Sequence, residues 1–185
     1  MTTKQKTQAQ SSSSIKSFPV PPPLATVTDL TPEEVKHVTD VINPLIADAF
    51  ALYTKTKNFH WHLEGSHFRD YHLLFDEHAA ALLASIDTMA ERVRRIGGTT
   101  IRSIGHISQL QTIQDNNADL VDPAEMVRQL LQDNTHMAQM LRAAGMICED
   151  NHDYATSNEL EVLLDETERR KWFLYEIVQG QDNAN

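Results

Sequence analysis

The sequence predicts an all-α protein, a four-helix bundle, and three observations carry that expectation. Apolar residues recur at three- and four-residue spacing along four long stretches. Glycine numbers only 6 in 185 residues, and Gly65, Gly97–Gly98 and Gly180 fall where those stretches should end. Of 7 prolines, four crowd into 19–23, Pro32 and Pro123 mark helix starts, and only Pro44 lies inside a periodic segment. A chain of this length suits one domain with a sizeable buried core.

The first helix opens at Thr31-Pro32-Glu33-Glu34, a capping box with proline in the first turn. Its apolar face runs Val35, Val38, Ile42, Leu45, Ala49, Leu52, Tyr53, Phe59 and Leu63 and should stop at Gly65, with a kink expected from Pro44. The second runs from about Phe68 to Ile96, with Phe68, Tyr71, Phe75, Leu82, Leu83, Ile86, Met89 and Val93 inward, and ends at Gly97. The third repeats the start signal in Asp122-Pro123-Ala124-Glu125 and follows Val127, Leu130, Leu131, Leu141, Ala144 and Cys148. The fourth carries Leu160, Leu163, Leu164, Thr167, Leu174, Tyr175 and Val178 before Gly180. Residues 99–121 form a long connection in which Ile107 to Ile113 should make a short helix. Helix pairs joined by one long crossover define a ferritin-like arrangement. The expected domain is therefore 29–180, flanked by tails 1–28 and 181–185.

Charge divides the chain unevenly. Residues 1–28 hold Lys4, Lys6 and Lys16 and no acid, whereas the remaining 13 cations face all 26 acids. The first segment is rich in Thr, Gln, Ser and Pro and reads as a flexible, mildly basic tail on an acidic body. An acidic body repels phosphates, so nucleic acid could be held only by the tail or through divalent cations. One cysteine excludes a disulfide framework within the chain and suits a reducing, cytoplasmic compartment. No apolar run is long enough to span a membrane, and residues 1–17 are too polar for a signal peptide.

Chemistry concentrates between 60 and 91. Five of the nine histidines lie between His60 and His78. On the second helix His72 and Asp76 are four apart, Asp87 and Glu91 repeat that spacing, and all four share one stripe. Imidazole with carboxylate suits iron, manganese or zinc; a solvated polar face is the plainer reading of the spacing. Along the axis Asp76 and Asp87 stand roughly 16 Å apart, too far for one ion whose bonds are about 2 Å. Two antiparallel copies of the helix across a two-fold axis would bring His72 and Asp76 of one to Asp87 and Glu91 of the other, making two equivalent sites.

Lys57-Asn58-Phe59-His60-Trp61-His62, Gly65, Phe68, His72, Asp76 and Asp87-Thr88-Met89-Ala90-Glu91-Arg92 together resemble the signature of the Dps family, the mini-ferritins. The likeness extends over about 31–179. It implies a ferritin-like bundle with a short extra helix and a homododecameric shell. It also implies a ferroxidase centre shared between two subunits, with His60, His72 and Asp76 from one and Asp87 and Glu91 from the other. Glu91 is then placed to bridge two irons. The implied activity is oxidation of Fe(II), preferentially by hydrogen peroxide, with ferric mineral stored inside and protection against oxidative stress. Zinc could fill the same donor set. DNA compaction through the tails, or nucleoid association, is the competing role; three lysines per tail make DNA binding weak or absent in expectation.

Some residues depart from that pattern or extend it. His62, His67 and His78 are extra histidines; His62 lies 200° around an ideal helix from His60, and His78 the same from Asp76. Trp61 reads either as an electron donor or as a packing residue. Glu149, Asp150 and Asp153 read either as the lining of an iron-entry pore or as a solvated loop.

Overall fold

The structure, a computed structural model, describes Pro21 and residues 24–182. Five helices follow in order: α1 (Pro32–His62), α2 (Phe68–Arg95), α3 (Ile104–Leu110), α4 (Pro123–Asp150) and α5 (Tyr154–Asp182). α1 packs mainly on α2 and α4 on α5, while α1 also meets α4 and the short α3. Among the described residues no helix is long and apolar enough to cross a membrane.

The start signals work as local chemistry requires. Thr31 Oγ1 accepts from the Glu34 backbone N–H, and Glu34 answers by accepting from the Thr31 N–H at 2.7 Å. Asp122 caps α4 by accepting from the N–H groups of Ala124 and Glu125. Gly97 has φ +89°, a left-handed value that a residue with a side chain rarely adopts, and it ends α2. α1 stays helical through Pro44.

Two apolar clusters fill the bundle. One gathers Ile42, Leu45, Met89, Val93, Leu141 and Leu160 at one end, the other Leu52, Phe59, Phe75, Leu82, Leu130 and Leu174 at the opposite end. Each fully buried side chain of this kind contributes about 1.5–3 kcal/mol. Between the clusters lies a polar layer. Buried Arg170 donates from Nε to Asn134 Oδ1 at 3.1 Å and from a terminal nitrogen to Thr167 Oγ1 at 2.7 Å.

Several boundaries differ from the sequence expectation. The short helix covers Ile104–Leu110, not Ile107 to Ile113, because Ser103 caps it by accepting from His106 N–H. Its C-cap Gln111 is extended, and the connection stays irregular up to Pro123. Fully buried Asp48 accepts from the backbone N–H of Thr112 at 2.5 Å and of Ile113 at 2.9 Å, and from Thr112 Oγ1 at 2.8 Å. α5 passes through Gly180 to Asp182, since a glycine lowers helix stability without ending it unless the backbone turns left-handed there. Leu83 and Tyr175, expected inward, are about half exposed.

Residues ahead of the first helix make contacts too. Residues 24–26 are fastened to the end of α2: Arg94 donates to the Leu24 carbonyl at 2.7 Å, and Thr26 Oγ1 donates to the Arg94 carbonyl at 2.9 Å. A Cβ on Gly97 would press on the Thr26 carbonyl, so the glycine also makes room for this strap. The lysines at 4, 6 and 16, and the DNA-binding role hung on them, lie outside the described residues.

Candidate metal centre

His60 sits near the end of α1 and His72 one turn into α2, so the α1–α2 turn folds them together. Their rings stack with centroids 3.7 Å apart and planes 19° from parallel. Each is held by the other's backbone: His60 Nδ1 lies 2.8 Å from the His72 carbonyl oxygen, and His72 Nδ1 lies 3.0 Å from the His60 carbonyl oxygen. A carbonyl only accepts, so both Nδ1 atoms carry a proton, and in the neutral rings the lone pairs lie on Nε2. Backbone-locked imidazoles of this kind are how proteins prepare histidine ligands. Phe68 stacks on the outer side of His72 at 4.9 Å.

Asp76 lies one turn beyond His72. Its Oδ1 is 4.0 Å from His60 Nε2, close to the span of two metal–ligand bonds of about 2 Å each. At present Lys57 holds it: the ammonium donates to Oδ1 at 2.7 Å, and that hydrogen bond with its charge keeps the Asp76 carboxyl below the usual carboxylate range. Lys57 is a residue of the motif to which the sequence reading gave no role. Its spacing of three before His60 puts it on the same face of α1.

Asp87 and Glu91 are exposed further along α2. Glu91 pairs with Arg95 at 2.5 Å, both more than half exposed, a contact that costs little to exchange. Asp87 stands at the rim of an apolar groove between α1, α2 and α3. Among the described residues no three His, Cys, Asp or Glu side chains of one chain are arranged to hold a metal ion. The structure thus brings His60, His72 and Asp76 together and leaves Asp87 and Glu91 apart from them, further along α2.

The middle of the bundle offers a different environment. Helix bundles can also hold metals there, using glutamates and histidines that project inward. Here that position is filled by the Arg170 guanidinium with Asn134 and Thr167, and His78 is buried close by. Burial, with Arg170 and Arg169 adding like charge, pushes the His78 imidazole down to about 4. The fixed guanidinium repels a cation, and the one imidazole beside it does not make up a donor set, so this layer does not fit a metal ion.

The extra histidines do not join the pair. His62 is exposed and gives its Nδ1 proton to the Asn58 carbonyl at 2.9 Å. His67 stacks on Tyr71 before the start of α2, and His78 is inside the bundle. The acidic run also divides. Asp153 is buried, pairs with Arg92 at 2.8 Å and caps the start of α5 through Thr156 N–H, so it is not part of an open acidic lining. Glu149 and Asp150 are exposed.

A family model described as a ferritin-like domain matches residues 39–182. A low temperature-induced protein of Nostoc sp. is 35% identical over 153 residues, covering 82% of this chain and 86% of the relative. DNA protection during starvation protein 2 of Bacillus anthracis is 32% identical over 140 residues, covering 75% and 94%. Among solved structures, DpsC from Streptomyces coelicolor matches with a TM-score of 0.79 at 27% identity, over 89% of this chain and 91% of that one. A Dps protein from Bacillus brevis matches with a TM-score of 0.77 at 28% identity, over 80% and 99%.

Proposed function

The chain belongs to the Dps family of ferritin-like proteins, and on that premise we propose that it oxidises ferrous iron at centres shared between two subunits and stores the ferric product inside a dodecameric shell. The observation that carries this reading is the reciprocal lock of His60 and His72, which commits both Nδ1 atoms to backbone carbonyls and sets His60 Nε2 4.0 Å from the Asp76 carboxylate. Iron is the substrate. His60, His72 and Asp76 hold Fe(II), and Asp87 and Glu91 from a second subunit complete the set, with Glu91 placed to bridge two ions. Carboxylate oxygens favour the ferric product once the electrons have left. With hydrogen peroxide as oxidant, two ferrous ions give one electron each and the O–O bond accepts both. Iron and peroxide are then consumed together without releasing hydroxyl radical.

Lys57 has a role in this scheme. It neutralises Asp76 in the absence of iron and must swing away when a cation arrives. Zinc, borderline between hard and soft ligands, competes for the same imidazoles. Twelve tails of three lysines each face an acidic body, so DNA binding at about 150 mM salt is expected to be weak or absent. Anaerobic titration of the apo shell with ferrous iron, followed by peroxide, tests the activity. The expected result is a ferric-oxo absorbance at a stoichiometry of two irons per peroxide. An unchanged spectrum removes the enzymatic reading and leaves a zinc-filled cage.

A further inference from the structure

The polar layer between the two apolar clusters holds more hydrogen-bond donors than it has acceptors for. Arg170 is 6% exposed and carries five N–H groups, of which one on Nε goes to Asn134 and one on Nη2 to Thr167. Both partners are uncharged and pinned by bonds of their own. Asn134 Nδ2 donates to the Leu130 carbonyl at 2.8 Å, and Thr167 Oγ1 donates to the Leu163 carbonyl at 2.7 Å. His78 is 4% exposed, and its Nδ1 is buried with no hydrogen-bond partner among the described residues.

These two groups stand at one height in the bundle. A terminal nitrogen of Arg169 lies 3.5 Å from Glu77 Oε1, which sets α5 beside α2 at this point. Glu77 and Arg169 are exposed, and the next residue on each helix, His78 and Arg170, is buried. Burial, then the charges of Arg170 and Arg169, act on the His78 ring, so both guanidinium groups are within electrostatic reach of it. The nearby acids stay outside: Glu77 is 60% exposed, and Glu166, one turn before Arg170 on α5, is exposed and acts on it through its charge.

A buried ion is tolerated when a close opposite charge or a full set of hydrogen bonds repays its lost water. A buried ring nitrogen without a partner adds a cost of the same kind. One ligand that accepts hydrogen bonds and carries negative charge removes both costs, whereas water meets the donors and leaves the charge. Apolar side chains close the layer on either side, so a single-atom halide suits it better than a polyatomic oxyanion. We propose that the centre of the bundle is a halide site, in which chloride accepts hydrogen bonds from the Arg170 guanidinium and from His78 Nδ1–H. The layer that repels a metal ion thus takes an anion, and the bound ion ties α2 to α5.

Crystals of the full chain grown in sodium bromide test this, because bromide scatters anomalously and water does not. The expected result is an anomalous peak within hydrogen-bonding distance of both Arg170 and His78 Nδ1. In solution, replacing gluconate by chloride at constant ionic strength should raise Tm by about 2–4 °C and then saturate. His78→Phe, which keeps a buried ring, should raise the half-saturating chloride concentration at least fivefold, and Arg170→Gln should remove the response. If Arg170→Gln does not fold, His78→Phe and the parent crystals still decide. Water in the expected position, or the Glu166 carboxylate turned inward to fill it, overturns the site. A chloride response that the variants keep in full also overturns it, since that response belongs to the surface. A Tm equal in gluconate and chloride does so even with a bromide peak, which is then binding at crystal concentration only. None of these readouts involves ferrous oxidation, so the halide site and the shared iron centre stand or fall separately.

Discussion

The bundle's middle layer and the outer stripe of α2 both place polar side chains close together, and they treat charge in opposite ways. Inside, Arg170 is locked by Asn134 and Thr167, neither of them charged. Burial lowers its guanidinium to about 10, which leaves it charged at neutral pH. Outside, Asp76 pairs with Lys57 and Glu91 with exposed Arg95, and Asp87 is exposed. The inner layer is built to stay as it is; the outer carboxylates hold partners that a metal ion can replace. A bundle of this architecture can keep metal in its centre or between subunits, and the position of the guanidinium favours the second.

The sharpest way to break that comparison is to remove donors from the stripe. His72→Ala combined with Asp76→Ala should abolish rapid ferrous oxidation, a loss of at least about 100-fold by analogy with the removal of ligand shells. The shell should still assemble, because His72 is only half-buried and Asp76 is 60% exposed. Stopped-flow absorbance with sedimentation reads both. Loss of assembly would mean the residues are interface contacts first.

Next in size is the inner layer. Arg170→Leu strands Asn134 Oδ1 among apolar groups and should cost about 1–3 kcal/mol, seen as a lowered Tm. Iron oxidation per assembled subunit should be unchanged. A variant that folds normally but loses oxidation would move the chemistry inside the bundle.

A smaller effect is expected at Lys57. In Lys57→Met the Asp76 carboxyl should rise toward its ordinary range, since the ammonium that holds it down is gone. Two consequences follow: tighter Co(II) or Fe(II) binding at neutral pH, several-fold by calorimetry, and a loss of binding that begins at higher pH than in the parent. Protonation competes with metal only below the folded-state carboxyl value, and the substitution raises that value. Unchanged affinity would show that Lys57 does not occupy the iron's place.

The contrast also explains what could be read from the chain. The capping boxes at Thr31 and Asp122 and the left-handed glycine at Gly97 are local chemistry, so both helix starts and the end of α2 were legible. The placing of His72, Asp76, Asp87 and Glu91 along α2 could be read because spacings of four and eleven residues are fixed by the helix itself. The start of α3 depends on the Ser103 cap, and the irregular run after it on Asp48 reaching across from α1, a contact that no periodicity announces. Asp153 looked like its acidic neighbours, yet burial beside Arg92 gives it a different job. The Arg170–Asn134–Thr167 layer was invisible for the same reason: residues 36 positions apart are brought together only by packing.

The central claim is that each centre takes donors from two subunits, and complementation tests it most directly. Asp76→Ala and Asp87→Ala proteins are each expected to be inactive as pure shells. Mixed at random after dissociation and reassembly, half of the two-fold pairs contain one of each, and one of the two centres in such a pair keeps both carboxylates. About one quarter of the parent's ferrous oxidation should return, in shells that mass spectrometry shows to contain both variants. Mixed shells that remain as inactive as either pure variant would contradict the shared centre.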